Sequence, residues 1–260
     1  MHQASPRIRR WKPAHALLMA LALLCLSAVP SQADAKRRTL TVQEQYELGL
    51  KHLKRGYYVK ALEQFNRIRN YHRDDPLAVK AELAIADVYF KKHEWDQARL
   101  AYEDFMRMHP RHEDLDYVVF RLGLTSYKKA PRIAQRDQTW TRQAVHAWTG
   151  FENRYPDSEH LEEVQEMLAK SRNRLAKKEY DIGAFYERRE AWPAVQARME
   201  GLLRIYSDTE LVPDALALLA LSQHQQGETE AARETAARLV AEHPEHAAVR
   251  KLTRDAPELL

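Results

Sequence analysis

The sequence predicts an all-α protein built as a superhelical array of about five helical hairpins. Only 7 of its 260 residues are glycine and 30% are charged, a composition that suits helices better than sheets with many turns. Small, aromatic and large apolar residues also recur in the same order along the chain. The interval from Ala61 to Ala98 is 37 residues, and so is the interval from Val195 to Ala232. Repetition at this period is typical of tetratricopeptide-like units, which are two antiparallel helices of about 34 residues.

The second repeat shows the pattern most clearly. Its large, small, aromatic and terminating positions read Ile85, Ala86, Tyr89, Trp95, Ala98, Tyr102, Phe105 and Pro110. Similar sets occupy residues 48–76, 122–156, 183–207 and 219–244. Each hairpin has an apolar face that it cannot bury alone, so neighbouring hairpins are expected to stack.

The middle of the chain departs from the regular spacing. Ala98 and Ala144 are 46 residues apart, and Ala144 and Val195 are 51 apart. The longer interval between Ala98 and Ala144 predicts an extended connection over residues 128–139. The longer interval between Ala144 and Val195 predicts a long helix over residues 161–180 that joins two sub-arrays. We therefore divide the chain into an N-terminal sub-array at 42–157, a C-terminal sub-array at 158–246 and a C-terminal tail at 247–260.

Residues 1–35 predict a signal peptide, and residues 36–41 a short basic linker. Basic residues at positions 7–12 precede an apolar run over 14–29, and small-residue cleavage sites follow at Ala33 and Ala35. The run is short for a membrane span of about 20 residues. Cys25 offers weak evidence for a lipid anchor, because bacterial lipoproteins carry small residues before the lipidated cysteine and this chain has Leu23 and Leu24. Ordinary cleavage is favoured, and lipidation stays open.

The charge distribution gives no indication of a nucleic-acid partner. The formal charge is +4, but residues 1–35 contain four basic residues and one acidic residue. Subtracting their net charge of +3 leaves +1 on the remainder. Since long runs of like charge are also absent, electrostatic capture of a polyanion is not expected.

The first helices of the repeats offer a candidate peptide-binding groove. In arrays of this kind the first helix of each repeat lines the inner surface. The residues placed there by repeat position are Tyr46, Leu50, Leu83, Asp87, Phe90, Tyr117, Phe120 and Tyr127. An aromatic-lined groove with a few charges suits an extended peptide or a helix, although the same residues could serve only to close the array on itself.

No pattern in the sequence predicts catalysis, a metal or a cofactor. There is no Gly-rich phosphate loop, no G-x-S-x-G and no H-E-x-x-H. The pairs His109/His112 and His243/His246 flank prolines at repeat ends, which indicates turns and not a ligand set. The basic stretch at 172–179 is interpreted as the solvated face of the long helix, with an acidic partner as the alternative.

Several segments carry a more specific resemblance. Asp116–Thr125, Arg136–Thr139, Tyr155–Glu159, Arg174–Trp192, Arg198–Leu203 and Pro213–Leu216 stand in this order along the chain. They resemble the BamD family, the tetratricopeptide subunit of the machine that assembles β-barrels in the bacterial outer membrane. The likeness covers about residues 40–244 and includes the unusually long middle spacings.

The resemblance implies a non-enzymatic assembly factor at the periplasmic face of the outer membrane, associated with it peripherally. The implied partners are the POTRA domains of the barrel-assembly protein, other assembly lipoproteins and unfolded outer-membrane proteins. Carried over to this chain, the POTRA interface would include Arg198 and Glu200. An independent periplasmic adaptor that binds peptides or envelope proteins is the alternative.

Overall fold

The computed structural model describes residues 39–260, and every regular element in that part of the chain is helical. The signal peptide, Cys25 and most of the linker lie outside the described residues. The helices form five successive hairpins followed by a terminal helix. They are α1 Val42–Lys54, α2 Tyr58–Tyr71, α3 Pro76–Lys91, α4 Trp95–Met108, α5 Leu115–Lys129, α6 Thr139–Trp148, α7 Phe151–Arg154, α8 Leu161–Glu187, α9 Trp192–Ile205, α10 Val212–Gln225, α11 Thr229–Glu242 and α12 Ala247–Asp255, with a 3₁₀ turn at Pro257–Leu259. The predicted fold class is confirmed.

Four of the hairpins share one turn conformation. The turn between the two helices contains a residue with positive φ, at +75° for Gly56, +61° for His93, +55° for Glu190 and +80° for Gly227. A left-handed backbone costs a non-glycine residue about 1–2 kcal/mol. Packing of the hairpins, and not local preference, therefore fixes the turn at His93 and Glu190.

Glycines in the first helices let large side chains of the second helices approach closely. A Cβ on Gly49 would lie 2.6 Å from the Phe65 ring, and one on Gly123 would lie 2.2 Å from the Trp148 indole. Both aromatic residues are fully buried. The small and aromatic positions of the repeat are therefore paired across each hairpin, as the sequence pattern predicts.

The long helix extends further than the sequence analysis predicts. It was expected over residues 161–180 as a connector ahead of the fourth repeat, but α8 continues for 27 residues to Glu187 and is itself the first helix of that repeat. Gly183 lies within this helix and leaves room for the Met199 side chain of α9, since an added Cβ would lie 2.4 Å from the Met199 Cε atom. Val164 of α8 joins the hydrophobic cluster around Trp148, so packing continues across the boundary at 157/158.

The segment at 247–260, set apart above as a tail, is folded against the last hairpin. Leu252 and Leu259 are 2% and 6% exposed and belong to the same cluster as Leu216 and Leu239. His224 Nε2 lies 2.6 Å from Glu258 Oε1, which links the final turn to α10. The segment was not recognised as a helix because its nine helical residues contain only two large apolar side chains.

Candidate functional site

All eight candidate groove residues lie on α1, α3 and α5, the first helices of the first three repeats. They do not all reach the surface. Leu50 is 41% exposed, whereas Phe90 and Phe120 are 9% and 5% exposed. Phe120 stacks on the His160 ring at 4.6 Å, and Phe90 packs edge-on against Trp95 at 5.2 Å. Phe90 and Phe120 thus support the candidate groove from beneath.

Asp87 is the centre of a polar network that joins three helices. Its Oδ1 accepts hydrogen bonds from the hydroxyls of Tyr102 at 2.6 Å and Tyr117 at 2.7 Å. Arg121 donates from Nε to the Tyr102 oxygen at 3.1 Å, and its Nη2 lies 3.4 Å from Asp87 Oδ1. The guanidinium also covers the Phe90 ring at 3.6 Å. The network therefore ties α3, α4 and α5 together beneath the groove.

Burial and the charge of Asp87 both disfavour ionisation of the tyrosines in this network. It raises the pKa of Tyr102 and of Tyr117 well above the usual value, and the negative charge of Asp87 raises both further. The positive charge of Arg121 acts in the opposite direction but is the smaller effect. Both phenols consequently remain hydrogen-bond donors to Asp87 at physiological pH.

Tyr127 lies apart from this network, in a cleft between α5 and α8. The cleft has a volume of ≈ 470 Å³. Leu124 and Met167 line it together with Lys128, Arg132 and Arg174. The Arg174 guanidinium sits 5.0 Å from the Tyr127 ring centre. The cleft thus combines apolar walls with three cations and one carboxylate, that of Glu163.

The connection at 128–139 is held by specific hydrogen bonds. Gln138 is fully buried and donates from Nε2 to the Ile133 carbonyl at 2.8 Å, while its Oε1 accepts from Thr141 at 2.5 Å. From the outside, Lys178 Nζ donates to the Arg136 carbonyl at 3.1 Å. A buried amide satisfied in this way fixes the path of the loop.

The basic stretch at 172–179 mainly makes internal contacts. Arg172 forms a two-pronged contact with Asp208, with Nε 2.6 Å from Oδ2 and Nη2 2.6 Å from Oδ1. Lys177 pairs with Asp181 on the same helix. The sequence allows two interpretations of this basic stretch, a solvated helix face and a binding surface for an acidic partner. The structure shows a third role for most of these cations, which is to fasten α8 to the adjoining loops.

Arg198 and Glu200 lie on α9. Arg198 Nη1 is 3.0 Å from Glu179 Oε2 on α8, and the two side chains are 45% and 30% exposed. Glu200 accepts a hydrogen bond from Gln196 Nε2 at 3.1 Å. A carboxylate of a partner could therefore reach the guanidinium, but it would have to share Arg198 with Glu179.

The histidine pairs serve local contacts. His109 Nε2 lies 2.7 Å from Glu82 Oε2, and His246 caps α12 by accepting from the Ala248 amide at 3.1 Å. Within residues 39–260, no three histidine, cysteine or acidic side chains converge as metal ligands. In the same range no helix has both the length and the apolar content needed to cross a membrane.

Sequence reasoning missed Tyr102, Arg121 and Glu179, the partners of the predicted site residues. Tyr102 was identified only as a repeat aromatic. The separations are 15 residues from Asp87 to Tyr102, 34 from Asp87 to Arg121 and 19 from Glu179 to Arg198. Arg121 offered one signal, since a cation within an otherwise apolar first helix needs a buried or aromatic partner.

A stacked array of helical hairpins with paired small and aromatic positions defines a protein of the tetratricopeptide class. Comparison with known proteins then identifies the family. The chain belongs to the YfiO family, described as outer membrane lipoprotein, whose sequence profile matches residues 38–239. The resemblance inferred from the sequence is confirmed.

Curated relatives carry the description outer membrane protein assembly factor BamD. The protein of Vibrio cholerae is 28% identical over 231 residues, covering 84% of this chain and 93% of the relative. That of Pasteurella multocida is 26% identical, covering 84% and 87%, and that of Neisseria meningitidis serogroup A is 24% identical, covering 82% and 85%. Among solved structures, the TPR2AB domain of yeast Sti1 in complex with pHSP90 aligns with a TM-score of 0.41 at 12% identity, covering 84% of each chain.

Proposed function

We propose that this protein is an outer-membrane protein assembly factor that binds the POTRA repeats of the barrel-assembly protein. Membership of the YfiO family and the assembly-factor relatives support the general role. The position of Arg198 supports the assignment of this partner. Arg198 lies half-exposed on α9, in a segment that resembles the POTRA-binding segment of the BamD family. Arginine binds carboxylates through two parallel hydrogen bonds, which suits a specific docking contact.

Location and anchoring form part of the same proposal. The protein would act at the periplasmic face of the outer membrane, alongside other assembly lipoproteins. Attachment would be peripheral, through its partner or through a lipid on Cys25. The lipid anchor remains a prediction, since Cys25 lies outside the described residues.

Charge reversal at Arg198 tests the partner assignment. Arg198→Glu should weaken binding to purified POTRA repeats of the same organism by about 2 kcal/mol, because the new carboxylate repels both Glu179 and the acidic partner. Isothermal titration calorimetry would measure the loss. Arg238→Glu is the matched control, since Arg238 is 48% exposed and pairs with Glu242 at 2.9 Å on α11, the second helix of the last hairpin.

Three results are distinguishable. Weakening by Arg198→Glu but not by Arg238→Glu supports the proposal. Equal binding by all three proteins would retain the partner and remove Arg198 from the interface. Absence of binding by the unaltered, folded protein would contradict the assembly function and favour an independent periplasmic adaptor.

We further propose that segments of unfolded outer-membrane proteins bind along the first helices. Leu50 is exposed at one end of this surface, and the cationic cleft beside Tyr127 lies at the other. Such a surface offers apolar contacts for side chains and polar groups that can fix the direction of an extended chain.

A photo-crosslinking amino acid placed on this surface tests the substrate assignment. With the crosslinker at Leu50 or Lys128, urea-denatured outer-membrane protein diluted into buffer should be captured, since both positions face the proposed path. Leu100, 53% exposed on the second helix α4, is the matched control. Equal capture from Leu100 would indicate nonspecific contact and would contradict the proposal.

A further inference from the structure

The last turns of α8 form one wall of a cleft that lies outside the first-helix groove. The cleft has a volume of ≈ 540 Å³. Its lining includes Lys178, Ile182, Phe185 and Arg188 from α8, together with Gln135 from the connection at 128–139. Positions 178, 182 and 185 fall on one stripe of the helix, because residues three and four apart are neighbours on a helix surface.

Phe185 gives this cleft an accessible apolar wall. It is 42% exposed, its ring lies 5.5 Å from the Tyr186 ring, and the Arg189 guanidinium rests 3.6 Å from its ring centre. A large aromatic side chain held in place by neighbours but open to solvent is the kind of residue that anchors protein interfaces.

Cations without acidic partners surround this apolar wall. Lys178, Arg188 and Arg189 make no ion pair with any carboxylate in the part of the chain that the structure describes. The one acidic residue in the lining, Asp181, is already bonded to Lys177 and Gln135. The excess positive charge favours an occupant in which carboxylates flank an apolar side chain.

The cleft lies beside Glu179, the α8 residue that pairs with Arg198. Helices α8 and α9 cross closely at Gly183, where an added Cβ would lie 3.8 Å from the Arg198 Cβ. Ile182 of the lining lies three residues after Glu179, the ion-pair partner of Arg198, so Ile182 and Glu179 are neighbours on the surface of α8. A single partner element could therefore contact Arg198 and enter the cleft at the same time.

We propose that this cleft receives an apolar anchor side chain from the acidic POTRA element that pairs with Arg198. This inference rests on the proposed function and adds to that interface a buried apolar contact that would contribute much of the binding energy. The aromatic wall at Phe185 supplies the buried contact, while Arg188 and Arg189 supply the charged rim. The proposed anchor explains how an exposed, already paired arginine could belong to a stable interface.

Two substitutions test the cleft without touching Arg198. Phe185→Ser should weaken binding to purified POTRA repeats by about tenfold or more, since anchor residues dominate interface energy. Arg188→Glu should weaken it less, and mainly at low salt, because a rim charge acts through screened attraction. Tyr71→Ser is the control, because Tyr71 is an aromatic residue 80% exposed on the distant helix α2.

The outcomes separate this inference from the proposed function. Weakening by Phe185→Ser and Arg188→Glu but not by Tyr71→Ser, with unchanged circular dichroism, supports the anchor. Weakening by Arg198→Glu alone would overturn the anchor and retain the POTRA interface. No binding by the unaltered protein would overturn both. Arg188→Glu keeps the test informative if Phe185→Ser fails to fold, since Arg188 is exposed.

Discussion

Replacing Trp148 with alanine should lower the free energy of unfolding by about 3–5 kcal/mol. Trp148 is fully buried, and its indole Nε1 donates to the Phe120 carbonyl at 3.2 Å. The substitution would leave a large cavity between α5, α6 and α8 and remove the hydrogen bond that the indole donates to the Phe120 carbonyl. Urea unfolding followed by circular dichroism would measure the change, with the midpoint shifting and the slope preserved.

Gly123 supplies an independent test of the same contact. Gly123→Ala should cost about 1–3 kcal/mol on its own, because its Cβ would overlap the indole and force the helices apart. In a Trp148→Ala background this cost should disappear, since the space is then empty. Leu100→Ala, at a 53% exposed position, should change stability little. Additive effects of the Gly123 and Trp148 substitutions would contradict this packing.

The repeat pattern was sufficient to predict the fold because each hairpin uses the same contacts. The small residues Ala61, Ala98 and Ala144 are all fully buried at equivalent positions. Features that do not repeat were harder to predict. The extension of α8 through Gly183 brings that glycine against Met199 of α9, a contact between two helices that helix preferences cannot show. The final helix packs against one apolar face of α10, through Leu216 and Leu221, and this face is formed only in the assembled array.

The sequence predicts which helices contain the candidate site residues, but not the contacts between them. Repeat position places Asp87 and Tyr117 on first helices, and both are there. The hydrogen bond between Asp87 and Tyr117 depends on how closely neighbouring hairpins pack, and so do the contacts of Tyr102 and Arg121. The number of residues between repeat positions does not determine that distance. Phe90 was expected to line the groove, but Arg121 covers its ring. The position of a residue on a helix was therefore easier to predict than its exposure.

Replacing Asp87 with alanine should lower the free energy of unfolding by about 3 kcal/mol, the lower end for a broken buried ion pair. The change removes the acceptor for two tyrosine hydroxyls and the negative charge nearest to Arg121, whose side chain is only 11% exposed. Denaturant unfolding would measure the loss. Removing Asp87 alone should destabilise the fold by more than the ion pair stabilises it, because the charge of Arg121 would remain buried without a partner.

Two further variants identify which part of the network matters. Asp87→Asn keeps an oxygen for the tyrosine hydroxyls but removes the charge, so it should be less harmful than Asp87→Ala. Asp87→Ala combined with Arg121→Met should recover part of the loss, since no unpaired guanidinium then remains in the core. If the double substitution were as costly as the two single effects added together, Asp87 and Arg121 would act independently. The three helices would then be held together by apolar packing and the tyrosine hydrogen bonds, and the ion pair would contribute little.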